Sequence, residues 1–203
     1  MATDRPRDMK VGIYLFEGVE ELDFAGPWEV LGAWSRMDTG PAEVTTVAES
    51  AEPLRCAHGL TVTPDRSWAD APAYDLLVLP GGRVGNVNNP MVHERLRALA
   101  DGGTLMASVC NGAVVYAEAG LLDGKPATTH WGSVERLEQI SKESGREIEV
   151  RADARYVDAG QVLTAAGVSA GIDLALYLIK RLDSEEAAKD MRRYIQYDPA
   201  PPV

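Results

Sequence analysis

The segment Leu105-Met106-Ala107-Ser108-Val109-Cys110-Asn111-Gly112-Ala113-Val114-Val115 constrains the fold more than any other stretch of the chain. A short apolar run leads into a cysteine and then, past Asn111-Gly112, into residues of helical character. Strand, sharp turn and helix in that order spell a nucleophile elbow. A side chain on such a turn stands clear of the strand and faces the amides that open the next helix, where the positive end of the dipole favours a thiolate over a thiol. The thiolate is the form that attacks carbon, so Cys110 is the expected nucleophile. Ser108 stands where the elbow's first glycine usually is, which leaves Gly112 to permit the close approach of helix to strand. A free cysteine is also a common core residue; the strand-turn-helix setting is what favours chemistry.

Strands and helices alternate on either side of this segment. Residues 11–16, 44–48, 76–79 and 104–109 read as strands, and 22–34 and 92–100 as helices, with Leu22, Val30 and Leu31 at helical spacing and Pro27 near the helix start. Residues 54–62 turn at His58-Gly59 as a small hairpin would. After the elbow helix, short strands are expected at 125–128, 148–150, 155–157 and 162–164 and a helix at 134–140. A last helix from Ser169 would present Ile172, Ala175, Leu176 and Ile179 to the core. The alternation implies an α/β fold, a flavodoxin-like three-layer sandwich with a mostly parallel central sheet and ligands at the carboxyl ends of its strands. Both Gly81-Gly82 and Cys110 follow such ends.

With 203 residues the chain fits one domain, with a polar tail at 1–9 and a proline-rich tail at 198–203. A formal net charge of -11 disfavours nucleic acid and anionic membranes as partners. The most apolar helical stretch, residues 168–182, is interrupted by Ser169, Asp173, Lys180 and Arg181, so no membrane span is expected. Only Cys56 and Cys110 carry thiols and no apolar leader opens the chain, which reads as a cytoplasmic protein and not a disulfide scaffold. Cys56 lies in the hairpin without CxxC spacing, so a structural or surface thiol is expected there and not a resolving partner for Cys110. His58, His93 and His130 are scattered, so no metal site and no cofactor are expected; His93 reads as a helix-surface residue and His58 as part of the hairpin turn.

Attack by sulfur needs donors for developing negative charge and a group that moves a proton. The Pro80-Gly81-Gly82 turn exposes main-chain amides, and the Asn111 amide points the same way. Glu17, Glu20, Glu21 and Asp23 would share one rim after the first strand. Asp23, between Leu22 and Phe24, is the one whose burial would raise its pKa towards neutrality, whereas Glu20 and Glu21 read as solvated or capping charges. Taken alone, each of these acids also fits a helix N-terminal charge. His130 is a rival base, and Trp28, Trp68 and Trp131 are candidate roofing for an apolar pocket.

Taken together, Gly18-Val19-Glu20-Glu21-Leu22-Asp23, Leu79-Pro80-Gly81-Gly82, Ser108-Val109-Cys110-Asn111-Gly112, Ala119-Gly120-Leu121-Leu122-Asp123-Gly124-Lys125, Thr128-Thr129-His130-Trp131 and Ser169-Ala170-Gly171-Ile172-Asp173 resemble the ThiJ/PfpI superfamily, a class I glutamine amidotransferase-like group, from end to end. Within it, Leu22-Asp23-Phe24-Ala25-Gly26-Pro27, Ala127-Thr128-Thr129-His130-Trp131 and the closing Ala200-Pro201-Pro202 are most similar to isocyanide hydratases and to the ligand-sensing halves of certain AraC-type regulators. The resemblance implies Cys110 as nucleophile, Asp23 as acid and base, the Gly82 and Asn111 amides near the sulfur, and Gly81, His130 and Trp131 around the substrate. It also implies a homodimer acting on a small electrophile without a cofactor. At Asn111 the chain departs from the hydratases, which typically carry threonine. The family's peptidases place a histidine directly after the cysteine, and amidotransferase triads take theirs near Val168-Ser169; this chain has neither, which leaves His130 a structural or pocket-lining part.

Two other activities share the elbow. A glyoxalase or deglycase would act on methylglyoxal through a thiohemiacetal, although those relatives commonly carry glutamate where this chain has Asp23. A ligand or redox sensor would use Cys110 as its switch, but regulators of that type add a helix-turn-helix tail.

Overall fold

The computed structural model describes residues 6–198. The expected tails at 1–5 and 199–203 lie outside the described residues, while Met9, in the expected polar tail, is buried. The chain begins β1 (Lys10–Tyr14), α1 (Glu21–Trp34), β2 (Glu43–Ala48), β3 (Leu54–Arg55), β4 (Thr61–Val62), β5 (Arg66–Ser67) and β6 (Leu76–Leu79). It continues with α2 (Pro90–Asp101), β7 (Leu105–Val109), α3 (Gly112–Glu118), β8 (Pro126–Ala127), α4 (Val134–Ser144) and β9 (Glu149–Val150). β10 (Tyr156–Asp158), β11 (Val162–Ala165), α5 (Ala170–Leu182) and α6 (Glu185–Tyr194) complete it.

The main sheet has seven strands in the order β10-β11-β7-β6-β1-β2-β5. Every neighbouring pair is parallel except β10 with β11. α1, α5 and α6 pack together as one covering layer, and α2, α3 and α4 as the other. A parallel sheet clothed on both faces wants continuous apolar strands, and Leu76–Leu79 and Val162–Ala165 are buried at every position. Gly171 lets α5 lie against α1: a Cβ there would come within 3.1 Å of the Pro27 ring. The Trp34 indole donates to Asp183 Oδ2 at 3.2 Å and so ties the end of α1 to the turn after α5.

The hairpin is where the sequence places it, with β3 and β4 antiparallel and Leu54 opposite Val62. Two elements escape the sequence reading. β5 is a polar edge strand of two residues, and α6 is a mostly charged helix that buries only Ala187 and Met191, so neither offers an apolar run to read. The inward face of α5 also differs from expectation: Gly171, Leu174, Ala175, Leu178 and Ile179 are buried, whereas Ile172 and Leu176 are only partly so. The helix is covered by α1 as well as by the sheet, and that second neighbour turns the buried stripe.

Candidate active site

Three adjacent strands from the middle of the sheet, β7, β6 and β1, deliver the site at their carboxyl ends. β7 ends at Val109, and Cys110 follows with φ of 59°, the left-handed region that a side chain enters only when its surroundings enforce it. Here they do. The Cys110 amide donates to the Ala166 carbonyl at 2.9 Å, and the Thr129 hydroxyl donates to the Cys110 carbonyl at 2.9 Å. Gly112 is required for α3 to leave at this angle, since a Cβ there would sit 2.5 Å from the Leu79 carbonyl oxygen.

Asp23 occupies the third position of α1, from which a carboxylate commonly reaches back to the amide that precedes the helix. That amide, of Glu20, donates instead to the Gly81 carbonyl at 3.0 Å. Asp23 is thereby free to turn inward, and its Oδ2 accepts from the Gly81 amide at 2.9 Å. Its Oδ1 has no well-aligned donor among the described residues, and the Cys110 thiol is the polar group that faces the carboxyl. Asp23 is 0% exposed. Burial pushes its pKa up to about 7, the Gly81 amide opposes this, and the charge of Glu20 adds to it.

The same burial pushes the Cys110 thiol up to about 12, and the Asp23 carboxylate pushes in the same direction against the Asn111 and Val168 amides. The expectation of a resting thiolate is therefore corrected. α3 has only seven residues, and its amides do not outweigh burial beside an acid. Burial and the acid beside it both favour the protonated sulfur.

Gly81, Gly82 and Asn111 do meet at the elbow, but the two glycine amides are not free. The Gly81 amide serves Asp23. The Gly82 amide donates to Asn111 Oδ1 at 2.8 Å, while Asn111 Nδ2 donates to the Gly82 carbonyl at 2.9 Å. The exposed-donor reading of the glycine turn is corrected accordingly, because side chains from α1 and the elbow already satisfy it. What faces sulfur is the Asn111 amide and that of Val168, itself at φ of 46°. Nothing in the sequence marks Val168, since a β-branched residue is an unexpected occupant of that backbone region.

His130 lies beside this loop, its ring against Gly167 and its Nδ1 accepting from the Gly132 amide at 3.1 Å. No hydrogen bond joins it to Cys110 among the described residues. Trp131 stacks at a tilt on His130 with centroids 5.2 Å apart and is 82% exposed. The three tryptophans do not form one roof. Trp68 packs edge-on to Tyr14 and Tyr74 under the Arg95 guanidinium, and Trp28 faces outward from α1. His93 is half-buried on α2, with Nε2 2.6 Å from Asn88 Oδ1. Cys56 is buried in the hairpin.

Glu21 is not the loose rim charge the sequence suggests. Its carboxylate accepts from the His58 amide at 2.9 and 3.2 Å and from the Leu60 amide at 3.3 Å, which clamps the hairpin to α1. Among the described residues, Glu20, Glu21 and His58 are the group close enough to share a metal. The bonds to Glu21 and the contact of His58 Nε2 with Glu20 Oε1 at 2.9 Å already account for their placement.

A doubly covered parallel sheet whose central strand ends in a left-handed cysteine turn, with an acid from the first helix against it, defines a class. Residues 9–181 match the DJ-1/PfpI family, and the chain belongs to it. Among curated proteins it is similar to isonitrile hydratase of Pseudomonas putida, 32% identical over 196 residues that cover 96% of this chain and 81% of that one. Among solved structures it is similar to a ThiJ/PfpI family protein from Pseudomonas syringae, with a TM-score of 0.84, 25% identity and coverage of 97% and 78% of the two chains. Drosophila melanogaster DJ-1beta shares the fold at a TM-score of 0.79, with 24% identity over 94% of this chain and 99% of that one. These likenesses support a cysteine-dependent enzyme of this superfamily. No helix among the described residues is long and apolar enough to cross a membrane.

Proposed function

We propose that the protein hydrates isocyanides to N-substituted formamides, with Cys110 as nucleophile and Asp23 as the group that moves protons. The observation that carries this reading is the buried Asp23 carboxyl against Cys110, with its pKa raised to about 7. A group near neutrality can both take and give a proton. Asp23 accepts the thiol proton as Sγ bonds to the terminal carbon of R–N≡C, then delivers that proton to the same carbon, leaving the thioimidate R–N=CH–S–Cys110. Asp23 next takes a proton from water as the water oxygen adds to this carbon, and passes that proton to the nitrogen. Collapse of the adduct breaks the C–S bond, releases R–NH–CHO and returns a proton to sulfur. One isocyanide and one water give one formamide, and no electrons are exchanged.

The resting thiol suits an isocyanide because the proton leaving sulfur is the one the carbon needs. The neutral substrate calls for no anion-binding cradle, in keeping with Gly81 and Gly82 amides already engaged by side chains. A cytoplasmic setting, which keeps thiols reduced, belongs to the same reading. So does a homodimer, for which Leu22 and Trp28 on the outer side of α1 offer exposed apolar surface; sedimentation of the purified protein tests it. The activity is tested by supplying an aryl isocyanide to reduced protein and following formamide by chromatography. Absence of turnover from mildly acid to alkaline pH sinks the hydratase reading, and lactate formed from methylglyoxal at the higher rate replaces it with a glyoxalase.

A further inference from the structure

The β3–β4 hairpin has no part in the reaction as described, yet it is fastened to the segment that carries Asp23. The Gly18 amide donates to Arg55 at 2.7 Å and the Ala57 amide to Val19 at 2.9 Å, besides the three bonds that Glu21 accepts. This fastening holds His58 Nε2 at 2.9 Å from Glu20 Oε1. The side chains are unequally exposed, 74% for His58 and 21% for Glu20, so a ring in solvent contacts a carboxylate that lies largely inside. Glu20 and Asp23, at the N-cap and third position of α1, also meet at one residue: the Glu20 backbone amide donates to the Gly81 carbonyl at 3.0 Å, and the Gly81 amide donates to Asp23 Oδ2 at 2.9 Å.

We propose that His58 and Glu20 are a positioning pair that sets the protonation of Asp23 from outside the site, His58 acting through Glu20. The inference rests on Asp23 as the proton-moving group. Histidine is the side chain whose charge changes most readily between about pH 5 and 8. A protonated ring neutralises Glu20 and makes the Asp23 carboxylate easier to form; a neutral ring leaves Glu20 free to oppose it. The direction agrees with the upward push that Glu20 exerts on Asp23.

Other charged groups surround the pair. From the loop after β1, Glu17 accepts from the Arg55 amide at 2.9 Å, and from α1, Glu21 holds the hairpin amides. On the hairpin, the Arg55 guanidinium sits beside Gly59, and burial followed by the charges of Glu21, Glu17 and Glu20 pushes the Cys56 thiol up to about 11. After β6, the Arg83 stem lies over Gly18. His58 is the ion-pair partner of Glu20 among the described residues.

The test is a carbon-13 NMR titration of the Asp23 carboxyl, assigned by its loss in Asp23→Asn. Glu20→Gln should lower the midpoint by about half a pH unit or more. His58→Gln should raise it, and His58→Arg, which fixes a positive charge, should lower it. In a Glu20→Gln background, loss of His58 should have little further effect. A midpoint unmoved by Glu20→Gln, or a His58→Gln shift of equal size in both backgrounds, overturns the proposal. Shifted midpoints in a protein that does not turn over isocyanides leave the pair standing and remove the hydratase reading; turnover with unmoved midpoints does the reverse.

Discussion

Asn111 holds Gly82 at both of its backbone polar groups, accepting from its amide at 2.8 Å and donating to its carbonyl at 2.9 Å. The elbow after β7 and the glycine turn after β6 are thus locked together by one side chain. Removing it strands a partly buried amide and carbonyl. Asn111→Ala should destabilise the fold by about 1–3 kcal/mol, the cost of leaving such groups unpaired, read as a fall in urea midpoint with unchanged slope. An unchanged midpoint contradicts the role given to this side chain.

Cys110 contributes chemistry more than packing, since the amide and carbonyl bonds that hold its φ of 59° come from its backbone. Cys110→Ser should therefore retain the fold and lose turnover. Formamide production by the serine variant near the wild-type rate refutes the mechanism.

Asp23 should trade stability for function. Its folded pKa of about 7 lies above the ordinary 3.8, so between these values the native state holds a proton that the unfolded chain has released. Stability from this group is thus greatest below the ordinary value, declines as pH rises through the window, and is flat above the folded pKa. Asp23→Asn, which cannot ionise, should slow the chemical step by at least ~100-fold. The same variant should be more stable than wild type at pH 8, by on the order of a few kcal/mol, with the advantage shrinking towards pH 4. Equal pH dependence of the two unfolding midpoints argues against a buried titrating acid.

Glu21 shows the opposite sign. Against a desolvation that raises its pKa, the amides of Glu21, His58 and Leu60 hold it below the ordinary value of 4.5. Its stabilisation is present above that value and lost as pH falls through the lower folded one. Glu21→Ala should cost about 1 kcal/mol and speed hydrogen exchange at the His58 and Leu60 amides. Exchange at wild-type rates there means the hairpin is held by something else.

How far such features are legible from sequence depends on how local they are. The strand-turn-helix around Cys110 and the alternation of β1, α1, β6 and α2 are written in apolar spacing, and Phe24, buried like Asp23, announces that burial, whereas Leu22 on the other side of it is exposed. The Asn111–Gly82 clasp joins residues 29 positions apart, and no pattern within either segment specifies it. Nor does local sequence reveal that the Val168 amide turns to sulfur. The protonation of Cys110 departs from the thiolate its turn suggests for a related reason: a helix start is visible in sequence, whereas the low-polarity surroundings that oppose it come from distant chain. α6 and β5 leave little trace in the sequence because they bury so little.

The β7-β6-β1 adjacency also has a consequence for biosynthesis. The acid, the glycine turn and the thiol follow strands β1, β6 and β7, which long stretches of chain separate, and such non-local pairings are slow to close. Until they close, sulfur has neither its acid neighbour nor its dry surroundings, and it behaves as an ordinary thiol. A nascent or partly opened chain therefore presents its cysteine more openly than the finished protein, in which Cys110 is buried, and thiol labelling reports on the closing of the central strands.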